Sequence, residues 1–280
     1  MSGDAPAPVL RRILVALDAS RASLAALETA AALAASLEAE LTGLFVEDID
    51  LLNLAGLPFA REVSLLTQAA RALDPETVEA ELRAQAGLAR RALAEVAESL
   101  RLRWSFRTVR GRVTAELLAA AVEVDMVAVG RGRTRLGRTA RAVVAQASRS
   151  VLVAAPASGS APARVALAFD GSPCAAAALV TAARLARREG AELAVFVLAA
   201  DADEAERRVT AAAEQLRALG VAARFRRLVG VGAGELRRAV EREGARLLVL
   251  GADASVIPDD TLALLLEIAG CPLLLVRTTP

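Results

Sequence analysis

Four blocks of sequence in the first half of the chain return, in the same order, in the second. RRILVALDAS (11–20) is matched by ARVALAFDGS (163–172), and AELTGLFVE (39–47) by AELAVFVLA (191–199). TVRGRVTAELLAAAVEVDMVAVG (108–130) is matched by LVGVGAGELRRAVEREGARLLVLG (228–251), and RSVLVAA (149–155) by GCPLLLV (270–276). Order and spacing together mean an internal duplication, so the fold is one unit built twice. APASGSAPA (155–163), made of small residues, Pro and Gly without periodicity, separates the copies. The expected domains are 9–156 and 163–278. At 280 residues the chain gives each copy the length of an ordinary single domain.

Within a copy, the succession of elements sets the fold class. RRILVALD (11–18) is a short apolar run ending in Asp18, and Ser20 caps an Ala-rich segment with apolar residues at helical spacing. LTGLFVED (41–48) follows as a buried strand. Strand, helix and strand in this order require a parallel sheet with right-handed crossovers. Asp74-Pro75-Glu76 opens a long helix to about Leu100, with a cap, a Pro in the first turn and an acid at the positive dipole end. RWSFRTV (103–109) alternates as a strand, with Trp104 and Phe106 toward the core. VTAELLAAAVEV is a helix, and VDMVAVG and SVLVAAP (150–156) are buried strands. The first copy alone carries an insertion, 49–73, with Leu51, Leu52, Leu54, Leu57 and Phe59. These residues pack over their own sheet, lid a ligand cleft or form an interaction surface.

Composition bounds the chemistry. Hydrophobic residues make up 55% of the chain and mean hydropathy is +0.43. Yet Glu28 and Glu38 interrupt the Ala-rich stretch 24–44, and no uncharged run approaches the roughly 20 residues of a membrane helix. MSGDAPAPVLRR lacks the basic-then-apolar order of a secretion signal, and Cys174 and Cys271 do not make a disulfide framework. A cytoplasmic protein without membrane partners is expected. There is no His, no Tyr and no Lys, so the 34 basic residues are all Arg. That removes the imidazole base and metal ligand, the Schiff-base amine and the phosphate-loop lysine. Ser-His-Asp and Cys-His catalysis are excluded, and no catalytic or metal-binding residues are assigned. The 33 acids leave a net charge of +1, and aromatic and basic residues do not interleave, so nucleic acid is not an expected partner.

The succession LVALD, helix, FVED, RGRVTAELL, VDMVAVGRG and SVLVA resembles the universal stress protein family, over nearly the whole chain and in two copies. The resemblance implies an α/β fold of two tandem Rossmann-like domains, of the adenine-nucleotide α-hydrolase-like kind. Each would be a five-stranded parallel sheet with helices on both faces. It implies a regulatory stress-response protein acting by binding. In the family's ATP binders an Asp ends the first strand, and backbone near the end of the second meets the adenosine. A loop after the fourth strand reads Gly, two residues, Gly, nine residues, Gly, then Ser or Thr. Glycines there admit phosphates to the backbone, and the next helix offers free N–H groups.

Carried onto this sequence, Asp18 and Val46 take the adenosine contacts and Gly130 opens the loop. Gly132 comes one residue early, Gly137 only seven residues after Gly130, and Thr139 one position late. A loop shortened by about half a dozen residues suits AMP or a smaller anion better than ATP. Arg131 and Arg133 would supply guanidinium groups to the anion, and Arg110, Arg112, Arg135, Arg138 and Arg141 would converge on the same sheet edge. In the second copy Asp170, Val197 and Gly251 stand at the matching positions. There, GADASVIPDDTLALLLEIAG has no Gly between 251 and 270, and Asp253, Asp259 and Asp260 would repel phosphate, so no nucleotide is expected.

Other readings of the same residues stay open. Asp18 and Asp170 serve equally as caps of the helices that follow, and the loop arginines as a solvated or acid-paired cluster. The chain as a whole is then a nucleotide-free interaction module working through its insertion and domain faces. Slow ATP hydrolysis is the weakest reading, since no general base is evident. Pairing of the two domains through their sheets, a homodimer and an unidentified protein partner complete the expectations.

Overall fold

The computed structural model describes residues 10–63, 70–132, 136–154, 164–230, 232–252 and 271–278. The first copy runs β1 (Arg12–Ala16), α1 (Arg21–Leu37), β2 (Glu40–Asp48), α2 (Ile49–Ala55), β3 (Arg61–Val63), β4 (Ala70–Ala72) and α3 (Pro75–Ser99). It continues with β5 (Trp104–Gly111), α4 (Val113–Ala121), β6 (Met126–Gly130), α5 (Arg138–Gln146) and β7 (Ser150–Ala154). The second runs β8 (Arg164–Phe169), α6 (Pro173–Glu189), β9 (Glu192–Ala199), α7 (Ala202–Ala218), β10 (Ala223–Val229), α8 (Ala233–Glu243), β11 (Leu247–Gly251) and β12 (Leu273–Val276). The boundaries at 9, 156 and 163, with the linker between them, lie outside the described residues.

The elements start where local chemistry starts them. Ser20 Oγ accepts from the Ser23 N–H at the head of α1, and Asp74 from the Thr77 N–H at the head of α3, which has its Pro in the first turn. Ser172 and Asp201 cap α6 and α7 in the same way.

All the large strands form one ten-stranded sheet, in the order β10-β9-β8-β11-β12-β7-β6-β1-β2-β5. Each half is a five-stranded parallel sheet with the same internal order, as the α/β reading requires. The halves meet at their last strands, where β7 and β12 pair antiparallel with Leu152 opposite Leu274. A parallel half turned against its copy in this way sends the carboxyl ends of its strands to the opposite sheet edge. At the junction Val151, Leu152, Leu274 and Leu275 have no exposed surface, the apolar runs typical of strands covered on both faces. Helices α1, α3, α6 and α7 pack one face into a continuous core, and α4, α5 and α8 pack the other. On the first face the halves also meet through Ser36 Oγ, which donates to Glu189 at 2.7 Å, and through the Arg188–Glu38 ion pair at 2.6 Å.

Alanine explains the tight layering. Ala26, Ala30, Ala31 and Ala34 of α1 are almost wholly buried, and so are Ala178, Ala182 and Ala183 of α6. Trp104 and Phe106 of edge strand β5 are half-buried against the same core, as their alternation predicts. No helix among the described residues is long and apolar enough to cross a membrane.

Candidate functional site

At the carboxyl edge of the first half, the ends of β1, β2 and β6 and the starts of α1, α2, α4 and α5 surround a cleft of about 540 Å³. Such a crevice beyond the strand ends is where open α/β sheets hold ligands. Asp18, Val46, Gly130, Gly132, Gly137 and Thr139 all line it. Residues from helices join them, among them Ser20, Ser23, Asp48, Leu51, Leu82, Gln85 and Arg138.

Asp18 sits at the middle of the three strand ends. Its Oδ1 accepts from the Ser20 N–H at 2.9 Å, and its own N–H donates to Ser23 Oγ at 3.3 Å. Partial burial pushes its carboxyl up, but hydrogen bonds from Ser20 and Ser23 outweigh this and hold it below the usual carboxylate range. The group is an ionised, fixed acceptor at neutral pH. Between it and the cap, Ala19 is held at φ 58°, a left-handed conformation that the second copy gives to Gly171 at φ 77°.

Val46 lies two residues before the end of β2. The Leu17 N–H donates to the Leu44 carbonyl. Alternate carbonyls of a strand face the same neighbour, so the Val46 carbonyl faces the side from which the chain has just turned into α1. The register of the two copies also corrects one assignment. Ala16 pairs with Leu44 and Ala168 with Phe196, so the counterpart of Val46 is Leu198, not Val197. Val197 is fully buried on the opposite face, because a shift of one residue along a strand exchanges faces.

Gly130 is required by packing. A Cβ there would stand 2.2 Å from the Ala22 carbonyl oxygen, in the first turn of α1. Gly251 meets the same demand, 2.3 Å from the Cys174 carbonyl carbon. Gly137 is different: a Cβ on it would meet nothing within 4 Å. It caps α5 without a side-chain hydrogen bond, so the first N–H groups of a nine-residue helix are left open beside Arg138 and Thr139 at the cleft.

Among the described residues, most of the arginines expected to converge do not line the cleft. Arg131 does not line the cleft; its backbone N–H donates to the Ala154 carbonyl of β7. Its guanidinium is partly desolvated, which pushes it down, within electrostatic reach of Cys271 in the second half. Burial pushes the Cys271 thiol up to about 11, so it stays neutral. Arg110 is taken by Glu47 at 2.9 Å and Glu79 at 3.2 Å, and Arg112 by Asp50 at 3.5 Å. Arg133 and Arg135 lie outside the described residues. Among the described residues, Arg138 is the one expected arginine that lines the cleft.

The insertion divides. Leu51 lines the cleft and Leu52 packs against the core, while Leu54, Leu57 and Phe59 are exposed, Phe59 to 75%. Sequence reasoning missed Asp48, Leu82 and Gln85 as cleft residues. Asp48 had a signal, since it ends a strand and caps α2 through the Asp50 N–H. Leu82 and Gln85 lie mid-helix, where only the packing angle of α3 tells an inward face from an outward one.

The matches to known proteins agree with this architecture. The family model for the Universal stress protein family matches residues 10–155. The chain belongs to the universal stress protein family. It is a tandem member, with the family unit built twice. Among solved structures it is similar to a universal stress protein from Archaeoglobus fulgidus, with a TM-score of 0.76 at 18% identity over 95% of this chain and 98% of that one. A structure from Pseudomonas aeruginosa UCBPP-PA14 assigned to the same family gives 0.64 at 16% identity, over 96% of this chain and 94% of that one. A functionally unknown protein from Pseudomonas aeruginosa PAO1 gives 0.61 at 16%, over 96% and 93%. At such identities the likeness concerns the fold. No curated protein matches the chain.

Proposed function

We propose that this universal stress protein is a regulator that binds one adenine nucleotide, in its first half, and acts by binding and not by turnover. The observation that carries the reading is the order of groups along the cleft. The apolar end, at β2, is lined by Val46, Leu51 and Leu82 and suits a base; the ionised Asp18, at β1, suits ribose hydroxyls; the open start of α5, beyond β6, suits a phosphate. β2, β1 and β6 are adjacent strands. At roughly 4.8 Å between neighbours, base and phosphate stations stand about 10 Å apart. That order is the order of a nucleoside monophosphate. With no lysine in the chain and Arg110 and Arg112 already paired, AMP fits the cleft better than ATP.

Catalysis has little support here. A carboxylate held below its usual range is a poor proton acceptor, and Asp18 is such a group; Asp48, which also lines the cleft, is engaged in capping α2. Exposure of Leu54, Leu57 and Phe59 favours a second role for the insertion, as a contact surface for a protein partner.

Calorimetric titration of the purified, nucleotide-free chain with AMP and ATP tests the proposal. AMP is expected to bind more tightly than ATP, and Asp18→Ala to weaken AMP at least tenfold. No heat with either nucleotide would remove the nucleotide reading and leave the interaction surface.

A further inference from the structure

The two halves put different things at the same place, and the difference assigns a role to Gln85. Helices α3 and α7 end alike. The Leu102 N–H donates to the Ala97 carbonyl and the Val221 N–H to the Leu216 carbonyl, after left-handed residues at Arg101 and Gly220. Counting back from these ends sets Ala97 on Leu216, Leu93 on Ala212 and Ala86 on Ala205, all of them buried. The same count sets Ala89 on Arg208 and Gln85 on Glu204. The strand registers set Val46 on Leu198 and Asp48 on Ala200.

In the second half this place is filled from within. Glu204 accepts from the Ala200 N–H at 2.6 Å and pairs with Arg208 at 2.8 Å. The Arg208 guanidinium donates to the Leu198 carbonyl, and its Nε lies 2.9 Å from where a Cβ on Gly171 would stand. A planar array of N–H donors therefore bridges two acceptors, a strand-end carbonyl and the side chain at helix position 204. In the first half, the buried Ala89 stands in place of Arg208, so this helix position sends no guanidinium to the strand end. Val46 and Gln85 line the cleft instead, and Gln85, exposed at its edge, has no hydrogen-bond partner among the described residues.

We propose that Gln85 is a base-specificity residue, holding with the Val46 carbonyl the exocyclic amino group of a heteroaromatic base. The inference rests on the nucleotide reading above. One amino N–H goes to the Val46 carbonyl and the other to the Gln85 carboxamide oxygen, while the Gln85 amide N–H donates to the adjoining ring nitrogen. The arginine that fills the second half marks the position: its planar donors meet the counterparts of those two acceptors, the Leu198 carbonyl and Glu204. A base without that amino group loses both bonds and leaves the Val46 carbonyl beside Leu51 and Leu82 without its partner.

The test compares AMP with purine riboside 5′-monophosphate, which differs by the amino group alone, on the full chain by calorimetry. Wild-type protein is expected to prefer AMP about tenfold, and Gln85→Ala to narrow that preference by about fivefold, the worth of one neutral hydrogen bond. A purely structural role would weaken both ligands equally. An undiminished preference in Gln85→Ala, with wild type binding AMP, overturns this inference and leaves the nucleotide site standing. Failure of wild type to bind AMP overturns both.

Discussion

Gly130 and Gly251 answer one steric demand in two places, since each lies against the first turn of the helix that starts its half. Gly130→Ala is expected to cost about 1–3 kcal/mol, because backbone has to move to admit the methyl. Gly137→Ala, with open space around it and an ordinary φ of −62°, should change stability by no more than about 1 kcal/mol. Urea unfolding of the two variants checks the contrast, and equal costs would contradict it. Asp18 makes a prediction with pH. Its folded pKa lies below the unfolded value, so the folded state binds fewer protons there and the stabilisation is present above about pH 4. It is lost as pH falls through the folded pKa. The urea midpoint of Asp18→Asn should therefore fall less steeply than that of wild type between about pH 5 and pH 3. Parallel profiles would show that Asp18 has no such role. Asp18 and Gly130 were legible because each is tied to a strand end. Arg131 was not, since its guanidinium lies within electrostatic reach of Cys271 in the other half, a neighbour no local pattern names.

At the scale of elements, the β1–α1 turn is a stored cost. Ala19 is left-handed where the second copy has Gly171. Ala19→Gly should relieve about 1–2 kcal/mol of strain against about 0.5–1 kcal/mol of added chain entropy. The expected result is a higher urea midpoint with an unchanged slope, and a lower midpoint would contradict it. The large elements of the first copy could be read from caps and periodicity: Ser20, then Asp74-Pro75, open helices where predicted. Val197 was placed one residue off although the repeat itself, Ala39-Glu40 on Ala191-Glu192, sets Val46 on Leu198, and the pairing with β8 agrees. Other misreadings arose where geometry at a distance decides. Arg110 and Arg112 lie near the expected edge, yet Glu47, Glu79 and Asp50 reach them from β2, α3 and α2, a meeting no local pattern reveals.

For the whole molecule, the expectation is of two half-sheets that pair through their sheets, but not of which strands meet or in which direction. The antiparallel β7–β12 pair puts Leu152 and Leu274 opposite each other with no exposed surface. Leu152→Ala and Leu274→Ala should each cost about 2–5 kcal/mol. The double variant should depart from additivity by at least about 0.5 kcal/mol, as contacting residues do. Strict additivity would mean that the junction does not hold in solution. That junction also sends the two sets of strand ends to opposite edges, so each half must stand as a site or fail as one alone. The first has an open cleft; in the second, Arg208 and Glu204 occupy the equivalent place. The most direct test is therefore the stoichiometry of AMP binding at saturation, measured calorimetrically on the intact chain. One nucleotide per chain, with the heat lost in Asp18→Ala and kept in Asp170→Ala, is the predicted result. Two per chain, none, or binding that survives Asp18→Ala would contradict it.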